Sequence, residues 1–210
     1  MEELNIAWNA EGLRDMRGAR RIEYLSIAWT SLEAVVGMAA GILAGSIALI
    51  SFAADSIIEV ASSSVLLWRL SSPVRGEHRE ELAHRLVGAS FLALAVYVCV
   101  NATHDLIARE APRASPFGII YAAACVIVMP LLARAKRRAS TRVRSNALHA
   151  DSHQSDICAW LSAILLAGLA LNALFGWWWA DPIAALAMLP MIVKEGINGL
   201  RGEVCSHHRG

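Results

Sequence analysis

The chain opens on a charged, polar lead-in and then turns apolar six times. Residues 1–21 hold no long apolar run and include Arg14, Arg17, Arg20 and Arg21. Apolar stretches follow at about 22–43, 46–70, 82–107, 116–133, 147–175 and 177–193. Each is close to the ~20 residues that a helix needs to cross the hydrocarbon core of a bilayer. In lipid the backbone must satisfy its own hydrogen bonds, so these stretches predict helices. The expected fold is an all-α membrane protein, a six-transmembrane-helix bundle with N- and C-termini cytoplasmic. Residues 1–21 read as a cytoplasmic segment, 22–199 as the bundle and 200–210 as a short cytoplasmic tail. The lead-in is not a secretory signal peptide, because no apolar core follows a short basic start.

Composition supports the membrane reading. The chain is 56% hydrophobic and 18% charged, with a mean hydropathy of +0.46. An average soluble domain is about 45–50% apolar and about 25% charged. A disordered chain, a collagen-like chain and an ordinary cytosolic enzyme are thereby excluded. Cys99, Cys125, Cys158 and Cys205 show no CxxC spacing, so neither a disulfide framework nor a zinc ribbon is written here.

The placement of charge carries more than its sum. With the N-terminus inside and six crossings, all of the 19 Lys and Arg residues except Arg109 and Arg113 fall on the inner side. That asymmetry is the positive-inside pattern. The basic run over 134–144 reads as a solvated inner loop, with nucleic acid no partner. Trp177, Trp178 and Trp179 fall at the outer end of the sixth stretch, where an aromatic belt belongs. Gly37, Gly41 and Gly45 form two GxxxG steps, which let helices approach closely. Their partner is another span or another subunit.

Ionisable side chains inside a membrane are costly and mark pathways or sites. Glu33 lies in the first span. Asp55 and Glu59 lie in the second, four residues apart and so on one helix face. Two acids so placed repel when both are ionised, which calls for a cation or a proton. The fifth span opens with a polar string from His149 to Cys158. At about 100° per residue it divides into two faces. Asp151, Gln154, Ser155 and Cys158 share one; His149, His153 and Asp156 share the other. Both carry metal-ligating groups. Glu59 and Asp55 lie ten and fourteen residues from Arg69, as Gln154 and Cys158 do from Arg144. At ~1.5 Å per residue the two pairs share their depths. Depth therefore favours a site between spans two and five without choosing the face.

Six spans, the string Ser46-Ile-Ala-Leu-Ile-Ser-Phe-Ala-Ala-Asp55-Ser-Ile-Ile-Glu59 and a polar start to span five together resemble the cation diffusion facilitators, or cation efflux proteins. The resemblance covers most of residues 20–200. It implies export of divalent metals, often zinc, in exchange for protons, by a homodimer with no prosthetic group. It also implies a transport site of two ligands from span two and two from span five, each pair spaced i, i+4. Asp55 and Glu59 match the first pair, with Glu in place of Asp. Anchoring on Ala150-Asp151 puts Gln154 and Cys158 at the second pair, where the family commonly has His and Asp. Asp151 is then a further ligand candidate, with His153, Asp156, His149 and Glu33 behind it as metal or proton groups. A thiolate at Cys158 would favour a soft metal such as zinc or cadmium. Typical members carry a soluble C-terminal metal-sensing domain; this chain ends shortly after span six, on a tail with Cys205, His207 and His208.

The expectation is a zinc-type metal/proton antiporter in a bacterial inner membrane, not an enzyme. Three rivals remain: a non-transporting membrane metal-binding or assembly protein, an intramembrane hydrolase using the acid pair, and an exchanger of protons for a small organic cation.

Overall fold

Each apolar stretch becomes one helix. The computed structural model describes residues 2–71, 77–109, 113, 115–143 and 145–201. The helices are α1 (Glu2–Ala44), α2 (Ile47–Ser71), α3 (Glu77–Ala108), α4 (Pro116–Val143), α5 (Asn146–Phe175) and α6 (Ala180–Arg201). All six are long and apolar enough to cross a membrane. The tail with Cys205, His207 and His208 lies outside the described residues.

Two boundaries differ from the sequence expectation. The polar lead-in is helical and belongs to α1, which runs unbroken across residue 21. The basic run over 134–144 is not a loop, because α4 continues through it to Val143. Ala, Arg and Lys are strong helix formers, and no Gly or Pro interrupts them after Pro130. The break comes at Ser145, whose extended backbone (φ −102°, ψ 111°) and side-chain oxygen cap α5 by accepting from Leu148 N–H.

The short connections are set by local chemistry. Gly45 takes φ +67° between α1 and α2, a conformation that costs glycine little. Ser46 then caps α2, its hydroxyl accepting from Leu49 N–H at 3.1 Å. Asp181, in the first turn of α6, completes that cap from across the bundle. One of its oxygens accepts from the Ser46 hydroxyl at 2.5 Å and the other from Ala48 N–H at 3.3 Å. A carboxylate at a helix N-terminus also complements the helix dipole.

The helices close a ring in the order α1, α4, α5, α6, α3, α2, and α2 also touches α5 and α6. The α3–α6 contact is backbone against backbone. A Cβ added at Gly88 would stand 2.5 Å from Leu200 N, and one at Gly196 would stand 2.7 Å from the Leu92 side chain. The glycines of α1 find their partners within the same chain. Gly37 faces Tyr121 of α4 and Ala53 of α2, and Gly41 faces Leu49 and Ile50 of α2.

Burial runs opposite to that of a soluble domain. Val35, Ile42, Val100, Ile120, Ile127, Trp160 and Leu174 are exposed on the outside, while Glu23, Glu33, Asp55, Glu59, Lys136, Asp151 and Asp181 are buried. An apolar exterior around an interior that mixes an apolar core with buried charges suits a chain whose surroundings are lipid.

Candidate metal-binding seam

The buried polar residues follow helical spacing on four helices. On α1 the buried face carries Glu23, Ser26, Thr30 and Glu33; on α2 it carries Asp55, Ser56, Glu59 and Ser63. On α4 the buried stripe runs Tyr121, Cys125, Met129, Ala133, Lys136 and Ser140. On α5 it runs Asp151, Ser152, Ser155, Cys158, then Leu161 and Leu165. Steps of three or four residues keep each set on one face. The faces meet because α1 packs on α2 and α4, and α5 on α2 and α4. A polar seam results, with α3 and α6 paired to one side of it.

At the end nearest the basic α4–α5 connection, carboxylates surround an ammonium. Lys136 Nζ lies 2.5 Å from Asp151 Oδ2 and 3.9 Å from Glu59 Oε1. It donates to Ser155 Oγ at 3.1 Å, and the Ser155 hydroxyl donates to Glu59 Oε1 at 3.2 Å. The Ser63 hydroxyl donates to Asp151 Oδ1 at 3.1 Å. Glu23 of α1 is a neighbour of Asp151, Lys136 and Glu59. Glu23 and Glu59 are both fully buried. Burying one ion costs several kcal/mol unless a counter-charge and hydrogen bonds compensate. Here three carboxylates share one ammonium. Two negative charges are left over if all three acids are ionised, so protons or a cation must make up the difference.

One turn further from that end, Asp55 and Cys158 face each other across the α2–α5 contact. The Cys158 thiol neighbours both Asp55 and Glu59. Glu33 approaches from α1, beside Cys125 of α4. Its Oε1 accepts from Trp29 Nε1 at 2.6 Å, and its backbone carbonyl accepts from the Tyr121 hydroxyl at 2.8 Å. Beyond this level the interior is mostly apolar, apart from Ser51, Ser162 and the Ser46–Asp181 cap. Phe52 stands edge-on to Tyr121 at 6.2 Å, and Leu49, Leu161 and Leu165 fill the core.

Among the described residues, no three His, Cys, Asp or Glu side chains converge into a ready-made metal cage. The arrangement instead offers donors in two layers: Asp55 with Cys158, and Glu59 with Asp151. Gln154 is half-buried at the edge of this face, with its amide nitrogen enclosed and unpartnered.

The alternative face of α5 goes elsewhere. His153 is exposed and His149 half-buried, their rings edge to face at 5.2 Å. Asp156 pairs with Arg137 of α4 on the outer flank. None of these three takes part in the seam's hydrogen bonds. Two seam residues escaped the sequence reading, Lys136 and Glu23. Lys136 sat in a run that reads as solvated, yet the spacing Cys125, Met129, Ala133, Lys136 was the available signal. Glu23 likewise stands three residues before Ser26 and ten before Glu33, on the same face.

With this geometry in view, relatives are informative. A cation efflux transmembrane domain matches residues 24–203. An uncharacterized transporter of Synechocystis sp. is 29% identical over 199 residues, covering 90% of this chain and 64% of that protein. Transmembrane protein 163 of Xenopus laevis is 28% identical over 180 residues, covering 84% of this chain and 64% of that protein. The chain thus spans just under two thirds of the length of these two relatives. A domain match that takes in most of the six helices places this multi-pass membrane protein in the cation efflux family.

Proposed function

We propose that this protein carries a divalent metal cation, zinc by preference, across the membrane in exchange for protons. The observation that supports this is the meeting of Asp55 and Glu59 of α2 with Asp151 and Cys158 of α5 in one buried seam. Carboxylates and a thiol bind metal in their deprotonated forms, so loading releases protons and unloading takes them up. That exchange is the physical basis of antiport. Asp55, Glu59 and Cys158 supply charged donors, and Gln154 or Asp151 completes the four that zinc prefers. The bundle alternates its opening around this site.

The basic ends of α2, α4 and α6 face the cytoplasm in this reading, and metal enters from there, drawn by the buried acids. The inner membrane of a bacterium and a homodimer are the setting. The cation efflux domain and the name of the Synechocystis relative support transport in general; the metal and the counter-ion rest on the donor set.

Reconstituted vesicles with a pH-sensitive dye inside test the reading. Zinc, cadmium, cobalt, iron and manganese are added in turn to wild type and to Asp55→Asn. Metal uptake with opposite proton movement is expected in wild type and at least a tenfold loss in Asp55→Asn. Undiminished proton-coupled flux in the variant would sink the mechanism. Zinc binding with no flux of any metal would instead favour a non-transporting metal-binding protein.

A further inference from the structure

Lys136 has no role in the mechanism just described, yet it is one of the largest fully buried side chains of the chain. Its ammonium stands between two carboxylates, Asp151 of α5 at 2.5 Å and Glu59 of α2 at 3.9 Å, with Glu23 of α1 a further neighbour. Two serine hydroxyls, Ser155 on Lys136 and Ser63 on Asp151, complete an all-oxygen surround. A cation already holds this position, and it is tied to the chain by its own stem.

We propose that Lys136 is a tethered counter-cation, holding Glu59 and Asp151 in the empty carrier and yielding them to the divalent cargo. The idea rests on the metal-transport reading above. It also gives Glu23 a role, as the third carboxylate of this layer. Once the ammonium withdraws, Glu59 and Asp151 present two negative charges, the complement of one divalent ion. Lysine suits the task better than arginine, because its charge is compact and its four-carbon stem is flexible. The residue lies seven positions before the end of α4 at Val143, within reach of the basic end. The stem can therefore swing the ammonium toward water when metal arrives, as buried lysine stems do at interfaces. Lys136 acts here through its charge and its tether and keeps its proton throughout. A monovalent ion gains little by displacing a charge equal to its own, whereas a divalent ion gains more. The device thus selects for charge as well as for ligand type.

Initial rates of zinc uptake into vesicles test this with wild type, Lys136→Gln and Lys136→Arg. Removing the competitor should lower KM for zinc about tenfold or more, the size usual for coupled sites. kcat should fall in the same variant, because the cargo is held more tightly. Lys136→Arg keeps the charge and should hold KM within about threefold of wild type. A KM in Lys136→Gln equal to that of wild type, with only the yield of folded protein reduced, would show an anchor between α4 and α5 and overturn the proposal. Should Lys136→Gln fail to fold, Glu23→Gln and Glu23→Gln/Lys136→Gln make the same comparison with one buried carboxylate fewer; loss of the ammonium must again lower KM. Absence of metal uptake and binding in wild type would remove the transport reading and this inference together. Wild-type uptake with unchanged KM in every lysine variant would remove the inference alone.

Discussion

On the metal-transport reading, single side chains decide which ions this seam holds. Cys158 is the thiol nearest the acid pair of α2, buried beside Asp55 and Glu59. Thiolate prefers zinc and cadmium, whereas oxygen donors prefer magnesium, calcium and manganese. Cys158→Ser keeps the volume nearly constant but hardens the site. We expect cadmium uptake to fall about tenfold relative to manganese in that variant, measured by competition between the two metals. An unchanged ratio would remove Cys158 from the ligand set. Arg137 makes a useful contrast. Its ion pair with Asp156 is half-exposed on the bundle flank, and such pairs contribute about 0–1 kcal/mol. Arg137→Ala should therefore leave thermal stability in detergent within about 1 kcal/mol of wild type. The ammonium one residue earlier is fully buried, so the same chemistry one position along the helix has a different consequence.

At the scale of elements, the seam depends on helices that approach closely and end sharply. The α3–α6 pair is the clearest case, because Gly88 and Gly196 bring two backbones together. A Cβ at Gly88 would meet Leu200 N at 2.5 Å and Gly196 O at 2.7 Å. Backbone atoms cannot rotate away as a side chain can, so the helices must separate. Gly88→Val should destabilise the protein by about 1–3 kcal/mol in thermal unfolding, as overpacking generally does. A neutral result would mean that α3 and α6 slide apart freely. The cap that Asp181 lends to α2 holds the other end of the helix that carries Asp55 and Glu59.

For the whole molecule, the division of labour is between four helices and two. Helices α1, α2, α4 and α5 enclose the polar seam, while α3 and α6 pack on each other and flank α2, with α6 also against α5. The charged layers run from the basic end inward to Asp55 and Cys158 and give way to Phe52, Leu161 and Leu165, with Asp181 buried separately at the far end of α2. Charge asymmetry predicts that this basic end faces the cytoplasm. Cysteine labelling checks it in a background lacking the exposed Cys99. In right-side-out vesicles, Phe117→Cys should react with a membrane-impermeant thiol reagent and Thr141→Cys should not; the reverse pattern would invert the topology.

The sequence by itself determined the number of helices, their approximate limits and the acid pair of α2. These follow from local quantities: apolar length against bilayer thickness, and a four-residue spacing that any helix turns into one face. It also held the two faces of α5; spacing and depth did not choose between them and only the resemblance favoured that of Gln154 and Cys158, because the contact depends on which helix stands on each side. Tertiary packing decided it by laying α2 against Asp151, Ser155 and Cys158 and leaving His153 exposed. The same holds for Lys136. A basic run reads as solvated because charge is costly to bury, and only the approach of Glu23, Glu59 and Asp151 from three other helices offsets that cost. Partners distant in sequence leave no local trace at the residue they stabilise, so this ammonium became visible only once the bundle had closed around it.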